Sequence, residues 1–266
     1  MTYLNLENIT AYHPAREQDD IFAVQNISLQ VKAGEHLAII GPSGSGKTTL
    51  LQIIAAAMKP KSGSLSIGGV NPWSISGKAL MHLRQSLFYA PQIPPLPPRQ
   101  RVVTSLSASR LGEMGFGKSI LNLIYPQYSQ EALDALSQFD LGEKLWSRVD
   151  RLSGGERQRV GLAKILMSRS DLWLIDEPLS ALDPKRSRQA IQTLIAEAKR
   201  RGVTLIVTLH QVDVATKEFS RVIGLQGGAL SFDLPSVEVT QNILRSLYAQ
   251  NEHEITQLEA NIFHTE

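Results

Sequence analysis

Apolar and polar positions alternate along this chain with two periods. Tyr3, Leu4, Leu6 and Ile9 stand among polar residues and predict a strand over 3–9, and a second strand follows at about 24–32 after a polar excursion at 14–20. A short apolar strand at 35–40 runs into glycines. The period then becomes helical over 47–58, where Pro60 stops it, and turn residues lead to another short strand at 65–67. Five prolines within 91–98 predict an extended linker, because proline fixes φ and lacks a backbone donor. Residues 104–146 read as helical, with Ala132, Leu133, Ala135, Leu136 and Phe139 at helical spacing. Strand and helix then alternate: helix at 155–168, strand at 172–175, helix at 184–200, strand at 203–208, and a short strand pair near 221–233. An amphipathic helix at 239–248 opens a polar tail, whose end is expected to be loosely held. The order predicts an α/β core interrupted by a helical insertion of some 60 residues.

Composition narrows the function classes. The chain has 266 residues, 42% of them hydrophobic, enough for a substantial core. Lys and Arg total 27 against 25 Asp and Glu, a formal net charge of +2, too small to argue for nucleic acid or an anionic membrane. With no cysteine, disulfides, thiolate chemistry and Cys-type zinc sites are excluded. The most apolar stretch, at 50–58, is far below the roughly 20 residues a membrane-crossing helix needs. The first residues lack the basic-then-apolar pattern of a signal segment, so the expected location is the cytoplasm.

Three motifs carry chemistry. Gly41-Pro42-Ser43-Gly44-Ser45-Gly46-Lys47-Thr48 fits the phosphate-loop pattern, followed by Thr49, with a strand before it and a helix after it. Glycines let backbone N–H groups curl around an anion, and the helix points its positive end at the same place. Lys47 can reach the β- and γ-phosphates of a nucleotide, and the Thr48 hydroxyl can ligate Mg²⁺. Chance alone would produce such a match on the order of once per hundred chains of this length. The second motif is an apolar strand ending in Asp176 and Glu177; beside a phosphate loop, the Asp suits Mg²⁺ and the Glu suits a water-polarising base. The third is Leu152-Ser153-Gly154-Gly155-Glu156, where Ser153 and Glu156 have capping-box spacing at a helix start. A glycine-rich helix start is also a good phosphate site.

Together, in this order and spacing, the three motifs resemble the ATP-binding cassette (ABC) family over nearly the whole chain. The resemblance implies an α/β fold: a P-loop NTPase core of the RecA type with an antiparallel β subdomain and an inserted α-helical subdomain. It places the ATPase domain at 1–235, with the helical insertion at about 93–154, and leaves 236–266 as a helical tail. It implies that ATP binds at 41–49 and that Mg²⁺ is held by Thr48, Gln92 and Asp176. Gln92, after Tyr89-Ala90-Pro91, resembles the glutamine joining core to insertion; His210 resembles the histidine that contacts the γ-phosphate. Tyr12 resembles the aromatic that stacks on adenine, with Phe22 the rival, since the excursion at 14–20 blurs the alignment. Ser180-Ala181-Leu182-Asp183 resembles the loop that crosses between subunits, though Asp183 and Pro184 also read simply as a helix cap and first turn. The implied assembly is a head-to-tail dimer of two copies. Each ATP lies between one copy's Lys47, Thr48, Asp176, Glu177 and His210 and the other's helix start at 153–156. Catalytic roles fall to Glu177, His210, Lys47 and Gln92.

With no membrane segment of its own, the chain resembles a separate transport ATPase at the cytoplasmic face of the inner membrane, working with permease subunits and, indirectly, a solute-binding protein. Ser109-Arg110-Leu111-Gly112, the run from Ser147 to Ser153, Thr208-Leu209-His210-Gln211-Val212-Asp213, and Arg221-Val222-Ile223-Gly224-Leu225 with Phe232-Asp233 resemble the phosphonate-importer ATPases. Phosphite and related oxyanion importers share these relatives. The alternative is a soluble cassette acting on nucleic acid or the ribosome; such chains carry a long coiled coil or a second cassette, neither of which is read here, so no nucleic-acid partner is expected. A kinase or GTPase would leave 152–156 and His210 unexplained. Two departures from the family pattern stand out. Glu156 replaces the commoner Gln, and the stretch after Gln92, where the family contacts its membrane subunit, is unusually rich in proline.

Overall fold

The computed structural model describes residues 2–13, 22–113, 117 and 127–249. The excursion at 14–20, residues 114–116 and 118–126 of the region expected to be helical, and the tail end at 250–266 lie outside them. Strands β1 (Thr2–Tyr12), β2 (Phe22–Lys32) and β4 (Ser62–Ile67) form an antiparallel sheet in the order β2-β1-β4. Strands β3 (His36–Ile40), β5 (Leu87–Ala90), β6 (Leu172–Asp176), β7 (Thr204–Thr208), β8 (Arg221–Gln226) and β9 (Ala229–Pro235) form a second sheet in the order β5-β6-β7-β3-β8-β9. All of its pairings are parallel except β8 with β9.

The parallel strands are short and apolar because both faces are covered. Successive side chains of a strand point to opposite faces. Ala38, Ile40, Trp173, Ile175, Leu205 and Val207 join one buried cluster, with helices α5 (Gly154–Met167) and α6 (Pro184–Arg201). Leu37, Ile39, Leu172, Leu174 and Ile206 join the other, with α1 (Lys47–Ile54) and the antiparallel sheet. Helix α1 thus lies between the two sheets, its Leu50, Leu51, Ile53 and Ile54 fully buried. Each such burial is worth about 1.5–3 kcal/mol.

Several elements depart from the expected pattern. The helix expected over 47–58 ends at Ile54. The N–H groups of Ala56 and Ala57 turn back to the carbonyls of Ile53 and Gln52, both at 2.9 Å, with Ala56 at φ +51°. The Arg84 guanidinium donates twice to the Ala56 carbonyl, at 2.6 and 3.2 Å, and so fixes a turn that the sequence leaves unmarked. Arg84 comes from α2 (Gly77–Gln85), which begins at the Ser76 cap and buries none of its residues fully; its half-buried Leu83 packs against the core, a short apolar face that the sequence reading did not pick out. Strand β5 and helix α7 (Val212–Glu218) were likewise too short to predict. The region 104–146 contains α3 (Val102–Ser107) and α4 (Ser129–Ser137), with 3₁₀ turns beside them. The last described helix, α8 (Gln241–Tyr248), starts at the Thr240 cap, two residues later than expected.

Residues 91–98 form neither helix nor strand, as five prolines require. They are nonetheless packed. The Pro94 ring lies against α5 so closely that a Cβ on Gly161 would sit 2.5 Å from Pro94 Cγ. Leu96 rests on the core, and the Pro98 and Gln100 carbonyls accept from Asp150 and Val149 at 2.9 and 3.0 Å.

Helix α4 ends in a left-handed residue that is not glycine. Leu141 N–H donates to Leu136 O and Asp140 N–H to Ser137 O, while exposed Asp140 sits at φ +54°. A Cβ costs roughly 1 kcal/mol in that conformation, and a carboxylate near a helix C-terminus opposes the helix dipole. We expect Asp140→Gly to raise stability by about 1 kcal/mol in urea unfolding, with an unchanged slope.

Candidate functional site

Strand order decides what meets at the C-terminal edge of the parallel sheet. Strand β3 feeds the loop 41–46 and α1; β6 ends in Asp176 and Glu177; β7, between them, ends in Thr208 and leads to His210. Ligands of open α/β sheets bind outside such strand ends.

Loop 41–46 is shaped by three glycines at positive φ, two of them without room for a side chain. Gly41, Gly44 and Gly46 have φ of +151°, +78° and +99°. A Cβ on Gly41 would lie 2.1 Å from the Leu225 carbonyl oxygen, and one on Gly46 would lie 2.2 Å from that of Ala23. The loop is therefore clamped between β8 of one sheet and β2 of the other. Lys47 is 4% exposed, and its ammonium donates to the Gly41 and Pro42 carbonyls at 2.8 and 3.1 Å. It also lies 4.0 Å from Glu177 Oε1.

Asp176 is 2% exposed. The Thr208 hydroxyl donates to its Oδ1 at 2.6 Å and accepts from the Glu177 N–H at 2.9 Å. Burial pushes the Asp176 carboxyl above its ordinary range, and the neighbouring Glu177 charge adds to this. Hydrogen bonds from Thr208 and Thr48 and the Lys47 charge act the other way. Burial likewise raises Glu177, but the hydrogen bond and charge of His210, helped by Lys47, outweigh it and hold this carboxyl below its ordinary range. Both Glu177 oxygens are engaged: Oε1 lies 2.6 Å from His210 Nε2, and Oε2 accepts from Gln92 Nε2 at 2.7 Å. Its backbone is left-handed at φ +45°, uncommon for a non-glycine residue and doubly so before a proline.

A cavity of about 660 Å³ is lined by His13, Phe22, Ala23, the loop residues Ser43 to Thr49, Gln92, Glu177 and His210, whereas Asp176 lines the neighbouring cavity beside the proline segment instead. Gly41 and Pro42 stand behind Lys47 and do not line the first cavity. The expectation that favoured Tyr12 over Phe22 needs correcting in placement. The two rings oppose each other across β1 and β2 and stack at 4.9 Å with 9° between planes, and Phe22 is the one that reaches the cavity. The Lys61 ammonium sits 4.1 Å from the Tyr12 ring centre.

The third motif stands elsewhere. Ser153 caps α5, accepting from Glu156 N–H at 3.2 Å, while Glu156 Oε2 accepts from Ser153 N–H at 2.8 Å. That backbone hydrogen bond, the leading cause, together with Lys144 at 3.2 Å, holds the Glu156 carboxyl below its ordinary range. Ser153 and Gly154 are exposed. Asp183 caps α6 by accepting from Arg186 N–H at 3.0 Å. None of Ser153, Gly154, Gly155, Glu156 and Asp183 lines the cavity. Thr208 was missed in the sequence, because its place opposite Asp176 depends on a pairing between strands over thirty residues apart. His13 was missed too; its signal was only its position beside Tyr12.

Comparison with known proteins gives the family and the fold. The model of the ABC transporter family matches residues 24–180. The "Phosphonates import ATP-binding protein PhnC" of Polaromonas sp. (strain JS666) is 53% identical over 253 residues, 95% of this chain and 91% of that protein. A second such protein, from Albidiferax ferrireducens, is 52% identical over 96% of this chain and 92% of its own length. One from Pseudomonas aeruginosa PAO1 is 44% identical over 94% and 92%. The dimeric structure of a bacterial ABC transporter cassette superposes with a TM-score of 0.76 at 27% identity, covering 88% of this chain and 98% of that one. A dimeric post-hydrolysis state of an ATP-binding cassette bound to ADP and Pi gives 0.74 at 28%, with the same coverage.

The capping box yields a graded test. Glu156→Gln keeps both cap hydrogen bonds and loses only the Lys144 pairing, so its stability at pH 7 should lie within about 0.5 kcal/mol of the parent. Glu156→Ala should cost about 1 kcal/mol. Since the native carboxyl titrates below its unfolded counterpart, its contribution is complete above the ordinary Glu range and fades as pH falls through the depressed value. The Gln variant and the parent should therefore converge in acid, measured by denaturant unfolding between pH 7 and pH 3.

Proposed function

The chain belongs to the ABC transporter family, and from that membership we propose that it is the ATP-hydrolysing subunit of an importer that takes up phosphonate or a related oxyanion through a separate permease. The observation that carries the reading is the convergence of Lys47, Gln92, Glu177 and His210 on one cavity beside the glycine loop. The phosphonate assignment rests on relatives up to 53% identical over nearly the whole chain.

ATP enters with its phosphates against 43–49 and its adenine on the Phe22 face of the Phe22–Tyr12 stack. Lys47 exchanges the Gly41 and Pro42 carbonyls for phosphate oxygens. The residues also fit Mg²⁺. A buried Asp176 carboxylate beside the Thr48 hydroxyl offers hard oxygen donors, with the Gln92 side-chain oxygen a third. Among the described residues no three His, Cys, Asp or Glu side chains form a metal cluster. Magnesium in nucleotide sites needs none, since phosphates and water supply most of its ligands. When bound, Mg²⁺ neutralises charge developing on the phosphoryl oxygens. Phosphate binding draws His210 and Lys47 away from Glu177, and its freed carboxylate orients the attacking water.

The partner is a second copy in head-to-tail order. Exposed Ser153 and Gly154 of each chain close over the nucleotide in the other, so ATP holds the halves together and hydrolysis releases them. Among the described residues no helix is long and apolar enough to cross a membrane. The permease docks at the proline segment, where Ile93 is 81% exposed beside a cavity of about 300 Å³ lined by Pro94, Pro95, Ser109 and Lys164. In this reading the subunit works peripherally, on the cytoplasmic face of the inner membrane.

Glu177→Gln should lower ATP turnover by about 10²- to 10³-fold while leaving ATP binding intact, and should accumulate a dimer in light scattering with Mg-ATP. Turnover at the parent rate would remove Glu177 from this role. Ile93→Ser should leave basal turnover of the isolated chain unchanged and weaken its recovery with the permease. In reconstituted vesicles, loaded binding protein with phosphonate should stimulate ATPase where other solutes do not.

A further inference from the structure

Helix α5 touches the loop after Glu177 at two points within the same chain. The Gln158 side chain is 5% exposed, and its Nε2 donates to the Pro178 carbonyl at 2.9 Å. One turn earlier, a Cβ on Gly155 would stand only 3.0 Å from the Ala181 carbonyl oxygen. The helix start and the loop 178–182 are thus in direct contact.

Glu177 occupies a costly conformation, with positive φ immediately before a proline. Such a backbone persists only where its surroundings over-determine it. On the N-terminal side, the Thr208 hydroxyl accepts from the Glu177 N–H at 2.9 Å. On the C-terminal side the Glu177 carbonyl accepts only a long hydrogen bond from Ser180 N–H, at 3.5 Å, and the next residue is a proline without an N–H, whose one backbone handle is its carbonyl. Gln158 holds that handle. It is a buried amide whose loss would leave a buried carbonyl without this donor.

We infer that Gln158 is a positioning residue: through the Pro178 carbonyl it holds Glu177 in register and ties it to the helix start at 153–156 of the same chain. This rests on the two-site dimer proposed above. There, Glu177 serves the nucleotide on its own phosphate loop, while 153–156 serve the nucleotide on the partner's. One hydrogen bond inside each chain then joins the two sites. When nucleotide engages Ser153 and Gly154 from across the interface, the shift of α5 reaches Glu177 through Gln158, and the first site is primed by occupancy of the second.

The test uses the full chain and three variants. Gln158→Leu keeps approximate shape and removes the donor. Gln158→His keeps an N–H at the same number of bonds from the backbone and should restore function. We expect Gln158→Leu to lower kcat about 10- to 100-fold, as small misplacements of a reacting group do. KM for ATP should change less than threefold, and the Hill coefficient for ATP should fall to 1. Gln158→His should recover at least half of the parent kcat and its Hill coefficient. Equal loss in both variants, or a parent-like kcat and Hill coefficient in Gln158→Leu, would overturn the inference. Should Gln158→Leu not fold, the comparison of Gln158→His with Gln158→Asn, whose amide is one bond too short, decides by the same readouts. A parent chain without ATP turnover or nucleotide-dependent dimer would instead refute the dimer reading itself.

Discussion

The Thr208 hydroxyl joins the ends of two neighbouring parallel strands, and the catalytic edge depends on it. It gives its proton to Asp176 and takes one from the Glu177 backbone, so a single oxygen fixes a carboxylate and the peptide that follows. Both partners would be expensive without it. Asp176 is a buried acid, and Glu177 is a left-handed residue ahead of a proline. The strand order makes the contact possible by setting β7 between β6 and β3, which brings Asp176, Thr208 and the loop after Ile40 to one edge.

The electrostatics of that edge are arranged around opposite fates for two adjacent acids. Burial dominates at Asp176 and favours its neutral form, whereas at Glu177 the His210 hydrogen bond and the neighbouring charges overcome burial and favour the ionised form. A site of this kind is uncomfortable until a cation and a polyanion enter it together. In the proposed function a divalent ion would suit the first carboxylate, and phosphates would compete for the groups that hold the second.

The sequence disclosed the local chemistry well and the long-range pairings poorly. The glycine loop, the strand ending in two acids and the capping box were legible because each is a contiguous run whose residue types carry their own geometry. The alternation of two core faces along β3, β6 and β7 was not visible, since strands buried on both sides show continuous apolar runs. Thr208 and Gln158 were silent for a different reason. Each acts on a residue twenty or more positions away, and a polar side chain gives no local sign of its partner. The preference for Tyr12 over Phe22 went astray because they are cross-strand partners, equivalent by spacing, and only the lining of the cavity shows that Phe22 is the ring that meets it.

The contact between Pro94 and Gly161 has a mechanical consequence. A cyclic side chain meets bare backbone there, with no room for even a methyl group between them. Neither residue has a rotamer to give, so the junction behaves as a strut instead of a spring. A push on the proline segment cannot be absorbed by side-chain rearrangement at that point. Displacement of the segment toward α5 would therefore meet the helix backbone directly at Gly161, midway along the helix that Ser153 caps.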